Sequence, residues 1–447
     1  MGKFSIHDGD DYRHLLSRRA AMTLSRTGGN DDQDALKLES KVLFHEKVTA
    51  KSESYGGIHP LVALHSHQAS LGPLLQKALA QCNAFTSSDG SKAQWRPDFV
   101  SVTRGPGMRS NLTVGLEAAK GLALAWGVPL VGVHHMQAHA LTPRLCSTLR
   151  SAEDPTRIIT RSADGNGGTN ALQWTPSTLE PTFPFLSVLA SGGHTMLIES
   201  STLLEHRTLA ETADIAIGTC LDKAARAILP SELLIPPYGR ALENFAFPDG
   251  ESSYSYTPPA QRKDELELRQ TAWGWAIRPP LAETTYGKSN RRMVYSFAGM
   301  LTYVQRLFAD SAERCVDERR KMGREVMRVA FEHLASRILL HLSDLTLTER
   351  EKVNTVVVSG GVAANSFLRH VLRAMLNVRG FEHIKLEFPP IELCTDNALM
   401  IAWAGMEMFD AGYHSELNIL PIRKWSMDPD VEDGGILGVG GWKKRTE

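Results

Sequence analysis

The chain has 447 residues, enough for two or three domains, and its 42% apolar and 22% charged content is typical of globular proteins rather than disordered chains. The net charge of -1 neither supports nor excludes nucleic-acid binding, because only a local basic patch is needed. The five cysteines are scattered, without a Cys-x-x-Cys pair, which argues against a disulfide scaffold and favours an intracellular location. The sequence predicts no transmembrane helix.

Strands and helices alternate along much of the chain, which predicts an α/β fold. The predicted strands cover residues 98–103, 129–133, 185–190, 195–199, 353–358 and 383–388. The predicted helices cover residues 111–126, a run from 134, and residues 363–376 and 395–409. Because a long loop after Arg150 separates two such blocks, we expect two lobes with a cleft between them.

Three stretches of loop or linker composition divide the chain into parts. The predicted parts are a lead at 1–40, an N-terminal lobe at 41–150, an inserted loop at 151–182, a C-terminal lobe at 183–410 with an insertion at 248–292, and a C-terminal segment at 411–447. The lead carries four arginines, as organelle transit peptides do, but it also carries Asp8, Asp10 and Asp11, which such peptides avoid.

Two predicted strands end in the same Ser-Gly-Gly turn, in Leu189-Ala-Ser-Gly-Gly-His194 and in Val358-Ser-Gly-Gly-Val-Ala-Ala-Asn365. Paired glycines let backbone N–H groups approach a phosphate or a ribose. An ordinary tight turn is the alternative for either one alone. Their repetition favours nucleotide binding, and Thr103-Arg-Gly-Pro-Gly-Met108 is a candidate third loop.

His135-Met-Gln-Ala-His139 places two imidazoles one helical turn apart, a spacing suited to two ligands of one metal. Two surface or core histidines are the alternative. A zinc peptidase is disfavoured, since Met136 stands where its glutamate base is required. Asp396 lies at a strand–helix junction, where it is equally placed to bind a metal or to cap the helix.

Charged residues on the predicted helices have two interpretations. Asp222, followed by Lys223, is a solvated ion pair unless its helix faces a ligand. Basic clusters occur at Arg291-Arg292, at residues 319–324 and at Lys443-Lys444-Arg445. Each is either a solvated surface or, if they share one face, an RNA-binding surface.

Taken in order, eight motifs between about Leu38 and Trp425 resemble the TsaD family of tRNA threonylcarbamoyladenosine transferases. They are Tyr55-Gly-Gly-Ile-His-Pro60, Thr103-Arg-Gly-Pro-Gly107, Val133-His-His-Met-Gln-Ala-His139, Ser191-Gly-Gly-His-Thr195, Leu221-Asp-Lys223, Tyr295-Ser-Phe-Ala-Gly299, Ser359-Gly-Gly-Val-Ala-Ala-Asn365 and Cys394-Thr-Asp-Asn397. The resemblance implies the actin/sugar-kinase/Hsp70-like fold, with two ribonuclease-H-like lobes of mixed sheets flanked by helices. Variant details are closest to the mitochondrial branch, which implies a mitochondrial location, with a cytoplasmic location as the alternative.

Position by position, the resemblance implies His135, His139 and Asp396 as metal ligands. It implies contacts to an adenylate substrate from Leu189, Ala190, Ser191, Gly192, Gly193, Asp222, Gly239 and Asn365. The reaction it implies transfers threonylcarbamoyl from threonylcarbamoyl-adenylate to the adenosine beside the anticodon of a tRNA. One divalent metal would assist, and two imidazoles with one carboxylate favour Fe or Zn over Mg. Partners would be tRNA and the adenylate, without a membrane, and a homodimer is an allowed assembly.

One feature departs from the family. Its first strand, of the type Ile-Glu-Thr-Ser-Cys-Asp-Asp-Thr, has no counterpart in the sequence, and residues 21–26 match only the strand that follows. The N-terminal lobe is therefore predicted to lack its first strand. This absence favours one alternative, a non-catalytic relative. A second alternative, a sugar-kinase or Hsp70-like ATPase of the same fold, is disfavoured by the missing strand and by the histidine pair.

Overall fold

A computed structural model describes residues 2–9, 16–27, 37–49, 60–88, 95–149, 179–282, 291–309, 314–394 and 396–445. Most of the predicted loop at 151–182 and of the motif Tyr55–Pro60 lies outside the described residues. The contacts divide the chain into two units. Unit 1 comprises Met1–Phe183, Ser200–Arg207 and Pro389–Glu447, and unit 2 comprises Pro184–Glu199 and Thr208–Phe388.

The described strands, in chain order, are β1 Gly2–Gly9, β2 Leu16–Thr27, β3 Lys37–Thr49, β4 Phe99–Gly105, β5 Leu130–His134, β6 Phe185–Ala190, β7 Thr195–Ser200, β8 His206–Glu211, β9 Thr355–Ser359, β10 Lys385–Glu387, β11 Tyr413–Ser415 and β12 Trp442–Lys444. The described helices are α1 Pro60–Ser88, α2 Arg109–Trp126, α3 His135–Leu149, α4 Ile217–Ile228, α5 Tyr238–Ala246, α6 Arg262–Glu265, α7 Ala298–Ala309, α8 Val316–Asp344, α9 Leu347–Lys352, α10 Ser366–Val378, α11 Ile391–Cys394, α12 Ala398–Asp410 and α13 Gly435–Gly438. Every strand and helix predicted above has a counterpart within a few residues.

The sheet of unit 1 has the strand order β12-β11-β5-β4-β1-β2-β3. β1 pairs parallel with β4 and antiparallel with β2, so a strand does occupy the place where the sequence predicted none. That prediction was wrong because it relied on a motif, whereas a strand needs only backbone N–H and C=O groups to pair. Residues 21–26, which the sequence matched to the strand that follows, lie in β2.

Both faces of β4 are covered, which explains its continuous burial. Val100 and Val102 pack with α1 and α2 in one apolar cluster. The alternate residues pack on α12, where the Phe99 ring stacks on Phe409 with centroids 4.6 Å apart. Phe99 on one face and Val100 and Val102 on the other fit a strand buried on both faces, although the polar Ser101 and Thr103 are also buried.

The sheet of unit 2 has the order β10-β9-β6-β7-β8, with β9 parallel to both β6 and β10. This is the order of β5-β4-β1-β2-β3 in unit 1. Each unit therefore carries the same five-stranded mixed sheet with helices around it, as the two-lobe prediction required.

The division of the chain differs from the predicted boundaries after β10. The C-terminal lobe was predicted to extend to residue 410, but the chain returns to unit 1 at Pro389. The physical reason is packing, since α12 lies against α3 and against the strands of unit 1. The predicted insertion at 248–292 is also less exposed than its composition indicates, because Trp275 and Ile277 are buried.

Candidate metal and adenylate sites

The two predicted histidine ligands lie on the first turns of α3, which begins directly after β5. His135 and His139 are one turn apart on the helix, as their spacing requires. Their rings meet edge to face with centroids 4.7 Å apart. Both are nearly fully buried, with 5% and 4% of their surface exposed.

Asp396 completes the cluster from a position 257 residues further along the chain. Its Oδ1 lies 3.0 Å from His139 Nε2 and 3.4 Å from His135 Nε2. One ligand atom from each residue can be chosen so that all three lie within 4.8 Å of one another. The structure thus brings together the three residues that the resemblance named, all within unit 1.

The chemistry of these donors fits a divalent transition metal. Two imidazole nitrogens and one carboxylate oxygen suit Zn(II) or Fe(II), whereas Mg(II) prefers oxygen ligands and retains its water. The helix-cap alternative for Asp396 does not hold, because Asn397 caps α12 by accepting a hydrogen bond from Met400 N–H at 2.9 Å. The carboxylate of Asp396 is therefore not needed as that cap.

Neighbouring side chains hold α3 in place. His134 Nδ1 accepts hydrogen bonds from Met136 N–H and Gln137 N–H, at 3.2 and 3.4 Å, and so caps the helix. His134 Nε2 lies 3.0 Å from the carbonyl oxygen of Trp425. The Gln137 amide donates to the carbonyl of Leu203 at 2.8 Å and so packs away from the histidine pair.

The first Ser-Gly-Gly turn follows β6 in unit 2 and is held by its own serine. Ser191 Oγ accepts hydrogen bonds from Gly193 N–H and His194 N–H, at 3.2 and 3.0 Å. Gly218 at the start of α4 donates to the carbonyl of Ser191 at 3.0 Å, and a Cβ on Gly218 would lie 2.6 Å from that oxygen. The predicted residues Leu189 to Gly193 thus form a braced turn at a strand end.

The second Ser-Gly-Gly turn follows β9 and lies beside the first. Leu189 and Ser359 are paired in the parallel ladder, so both turns leave the same edge of the sheet. Gly360 has φ +91°, and a Cβ there would lie 2.5 Å from the carbonyl oxygen of Ala190. Asn365 caps α10 by accepting from Leu368 N–H at 2.9 Å. This edge, at the carboxyl ends of parallel strands, is where open α/β sheets bind ligands.

Asp222 and Gly239 extend this set. Asp222 lies on α4, and its Oδ1 would be 3.9 Å from a Cβ on Gly239, the second residue of α5. The alternative of a purely solvated Asp222–Lys223 pair is therefore weaker than the sequence suggested. All eight predicted substrate residues lie in unit 2, and the three predicted metal ligands lie in unit 1.

The sequence reasoning missed Glu243 on α5. Its Oε1 accepts hydrogen bonds from the N–H groups of Ser366 and Phe367, at 2.7 and 3.1 Å, and from the Tyr254 hydroxyl at 3.3 Å. Burial raises the pKa of Glu243 although these donors oppose the shift. A lone acid on the apolar face of a strongly amphipathic helix was the available signal.

The candidate third loop, 103–108, has a packing role instead. A Cβ on Gly105 would lie 2.4 Å from the carbonyl oxygen of Ile422, and Ile422 N–H donates to the carbonyl of Arg104 at 2.9 Å. The Arg104 side chain donates to the carbonyls of Leu420 and Gly440, at 3.2 and 2.8 Å. The C-terminal segment therefore covers this loop, and close backbone approach accounts for Gly105.

A family model described as "tRNA N6-adenosine threonylcarbamoyltransferase", TsaD, matches residues 41–166 and 169–403. The chain belongs to the TsaD family. A mitochondrial tRNA N6-adenosine threonylcarbamoyltransferase of Schizosaccharomyces pombe is 35% identical over 401 residues, covering 89% of this chain and 80% of that protein. A tRNA N6-adenosine threonylcarbamoyltransferase of Rhizobium johnstonii is 30% identical over 389 residues, covering 87% and 86%. The TsaD match thus spans both units.

None of the helices among the described residues is long and apolar enough to cross a membrane.

Proposed function

We propose that this chain is a tRNA N6-adenosine threonylcarbamoyltransferase, an acyltransferase that acts on the adenosine beside the anticodon. The observation that carries the proposal is the convergence of His135, His139 and Asp396 in a chain that belongs to the TsaD family. Two imidazoles meeting one carboxylate have no evident role in a plain sugar-kinase or Hsp70-like ATPase. The strand β1 fills the sheet position whose loss favoured a non-catalytic relative, which supports a catalytic chain.

The donor, threonylcarbamoyl-adenylate, is already activated as a mixed anhydride. The exocyclic amine of the adenosine attacks the carbamoyl carbon, a C–N bond forms, the C–O bond to the phosphate breaks, and AMP leaves while the amine loses a proton. No protein nucleophile is required, so the work of the chain is to hold the two reactants together.

Different side chains and turns bind the adenylate and the metal. In our proposal the edge formed by Leu189 to Gly193, Asp222, Gly239 and Asn365 binds the adenylate, with backbone N–H groups toward phosphate and carboxylate or amide groups toward hydroxyls. His135, His139 and Asp396 hold one Fe or Zn ion. When bound, this ion acts as a Lewis acid that polarises oxygen atoms of the threonylcarbamoyl-adenylate.

Replacement of His139 tests the proposal. His139→Ala removes one of the three proposed metal ligands. The purified variant is therefore expected to lose bound Fe or Zn, which elemental analysis measures. It is also expected to lose transfer of threonylcarbamoyl from threonylcarbamoyl-adenylate to tRNA. His65→Ala, an exposed histidine on α1, is the matched control and should change neither. Wild-type modified-adenosine levels from His139→Ala in a complemented deletion strain would refute the metal role. Fast ATP turnover by the wild type without tRNA would instead favour a kinase-like ATPase.

Location and assembly are further parts of the proposal. The mitochondrial name of the Schizosaccharomyces pombe relative supports a mitochondrial location, which imaging of a tagged chain tests. The proposed partners are tRNA and the adenylate. The homodimer that the resemblance allows is tested by sedimentation of the purified protein.

A further inference from the structure

Two arginines of the basic cluster at 319–324 form hydrogen bonds to backbone carbonyls inside unit 2. Arg319 Nη1 donates to the carbonyl of Ile228 at 2.8 Å, and Arg324 Nε donates to the carbonyl of Ala246 at 2.7 Å. These bonds hold α8 against α4 and α5. The cluster as a whole is therefore not an RNA-binding surface, but Lys321 belongs to a different feature.

Lys321 lines a polar cavity of about 190 Å³ within unit 2. One wall is formed by residues 255–257 and 269–271 of the insertion, and the other by Lys321, Glu325 and Arg328 of α8. The insertion wall contributes hydroxyl and amide side chains, and Arg269 provides a third cation. The cavity is large enough for a phosphate group with its attached sugar.

The charges around this cavity do not cancel among the described residues. Glu325 contacts Arg328 at 2.6 Å and Lys321 at 2.8 Å, while Glu332 contacts Arg328 at 2.6 Å and Arg269 at 3.8 Å. Burial raises the pKa of Glu332. Burial also acts to raise the pKa of Glu325, but Arg328 outweighs it and holds that pKa below its usual value. Three cations thus meet two carboxylates, which leaves a positive excess for an anion.

Arg269 and Lys321 retain donors for such an anion. The described contacts of the Arg269 guanidinium are one hydrogen bond of 3.5 Å to the carbonyl of Thr257 and the 3.8 Å approach to Glu332. About a third of each of these two cationic side chains is exposed to solvent. A guanidinium fork offers paired N–H groups that match two phosphate oxygens.

An exposed indole lies on the loop that continues from this wall. Thr271 N–H donates to the carbonyl of Trp275 at 3.0 Å and closes the loop, with Trp273 at its tip. The Trp273 ring is stacked at 16° on the buried Trp275 ring, and 42% of Trp273 is exposed. An exposed aromatic face on a loop that continues from a cationic wall is the kind of group on which proteins stack single-stranded bases.

We propose that this cavity binds a backbone phosphate of the RNA substrate through Arg269 and Lys321, while Trp273 stacks on an adjacent base. The inference rests on the proposed function for the identity of the RNA. The same anion chemistry would accept free phosphate or the phosphate of a nucleotide, and the experiment separates these sources.

The test compares substrate tRNA binding by the wild type, the double variant Arg269→Gln/Lys321→Gln, and the control Arg306→Gln, an exposed arginine on α7 of the same unit. The double variant should bind tRNA about tenfold more weakly near physiological salt, with the slope of log affinity against log salt reduced by about 1 to 2. Trp273→Ala should lose about tenfold in affinity with an unchanged slope. Arg269→Lys keeps the charge, so it should keep the slope but lose affinity, and thermal melting monitors folding of each variant.

Different outcomes would overturn the phosphate site alone or the proposed function as well. Wild-type tRNA affinity in the double variant overturns the phosphate site but leaves the proposed function standing. Weaker binding of inorganic phosphate or AMP by the double variant, with unchanged tRNA affinity, also overturns it and assigns the cavity to a free anion. Absence of both tRNA binding and transfer in the wild type defeats both proposals together.

Discussion

His134 is predicted to fix the helix that carries the histidine pair. Its Nδ1 accepts two backbone N–H groups, from Met136 and Gln137, so Nδ1 is the unprotonated nitrogen. The proton is then on Nε2, which donates to the carbonyl of Trp425 at 3.0 Å. Burial lowers the pKa of His134 to about 3, against the opposing effect of that hydrogen bond. The ring is therefore neutral at physiological pH.

His134→Ala removes this cap and leaves a buried carbonyl without its donor. Loss of a cap costs about 1 kcal/mol and a buried acceptor left without a partner about 1–3 kcal/mol, so the free energy of unfolding should fall by about 2–4 kcal/mol. Because His135 follows directly and His139 one turn later, Zn(II) affinity should also fall, by about 10- to 100-fold. His134→Asn supplies an amide oxygen to the same N–H groups and should recover part of both losses.

Urea unfolding gives the first quantity, and zinc titration with the visible spectrum of bound Co(II) gives the second. The Co(II) spectrum reports ligand geometry, which a general loss of stability does not change. His65→Ala again serves as the control for a surface histidine. The reasoning fails if His134→Ala unfolds within about 0.5 kcal/mol of the wild type, or if His134→Asn matches His134→Ala in both measurements.

Two further predictions concern single residues elsewhere. Burial lowers the pKa of His206 from 6.5 to about 4. The unfolded chain therefore binds its proton first as the pH falls, and about 3 kcal/mol of stability should be lost between pH 6.5 and 4. His206→Asn should flatten that part of the plot of urea midpoint against pH, and an unchanged plot would contradict this. Gly360→Ala forces a Cβ to within 2.5 Å of the Ala190 carbonyl at φ +91°, so we expect at least about 2 kcal/mol of destabilisation and a higher KM for the adenylate. In Gly361→Ala, the control, the new Cβ meets nothing within 4 Å, and equal effects of the two substitutions would refute the steric reasoning.

The sequence predicted the fold best where strands are buried on both faces. Phe99, Val100 and Val102 in one segment and residues 356–358 in the other predicted strands that run into a glycine turn, and both proved to be buried parallel strands. β1 was missed because the sequence search required a family motif there, and pairing depends on backbone groups of any sequence. The boundary at Pro389 was missed because composition does not show that α12 packs on the sheet of unit 1.

The residues of the candidate sites could be predicted from the sequence to different degrees. His135 and His139 could be paired from spacing alone, since one helix fixes their separation. Asp396 could not be assigned from local pattern, because capping and metal binding use the same residue types at a helix start. The resemblance selected it, and the cap made by Asn397 supplies the physical reason. The positive cavity beside the Trp273 loop could not be predicted from the sequence, because its two walls are separated by about fifty residues along the chain.

The repeated strand order explains why the predicted metal ligands are so far apart in sequence. β5 and β10 hold equivalent places in their two sheets, each next to the second central parallel strand. The chain that leaves β5 enters α3 and supplies His135 and His139, while the chain that leaves β10 returns to unit 1 and supplies Asp396 before α12. Because α3 and α12 then pack together within unit 1, the three side chains come together in one cluster. Its geometry thus depends on the packing of this helix pair, which is why a cap at the start of α3 should change metal affinity without touching a ligand.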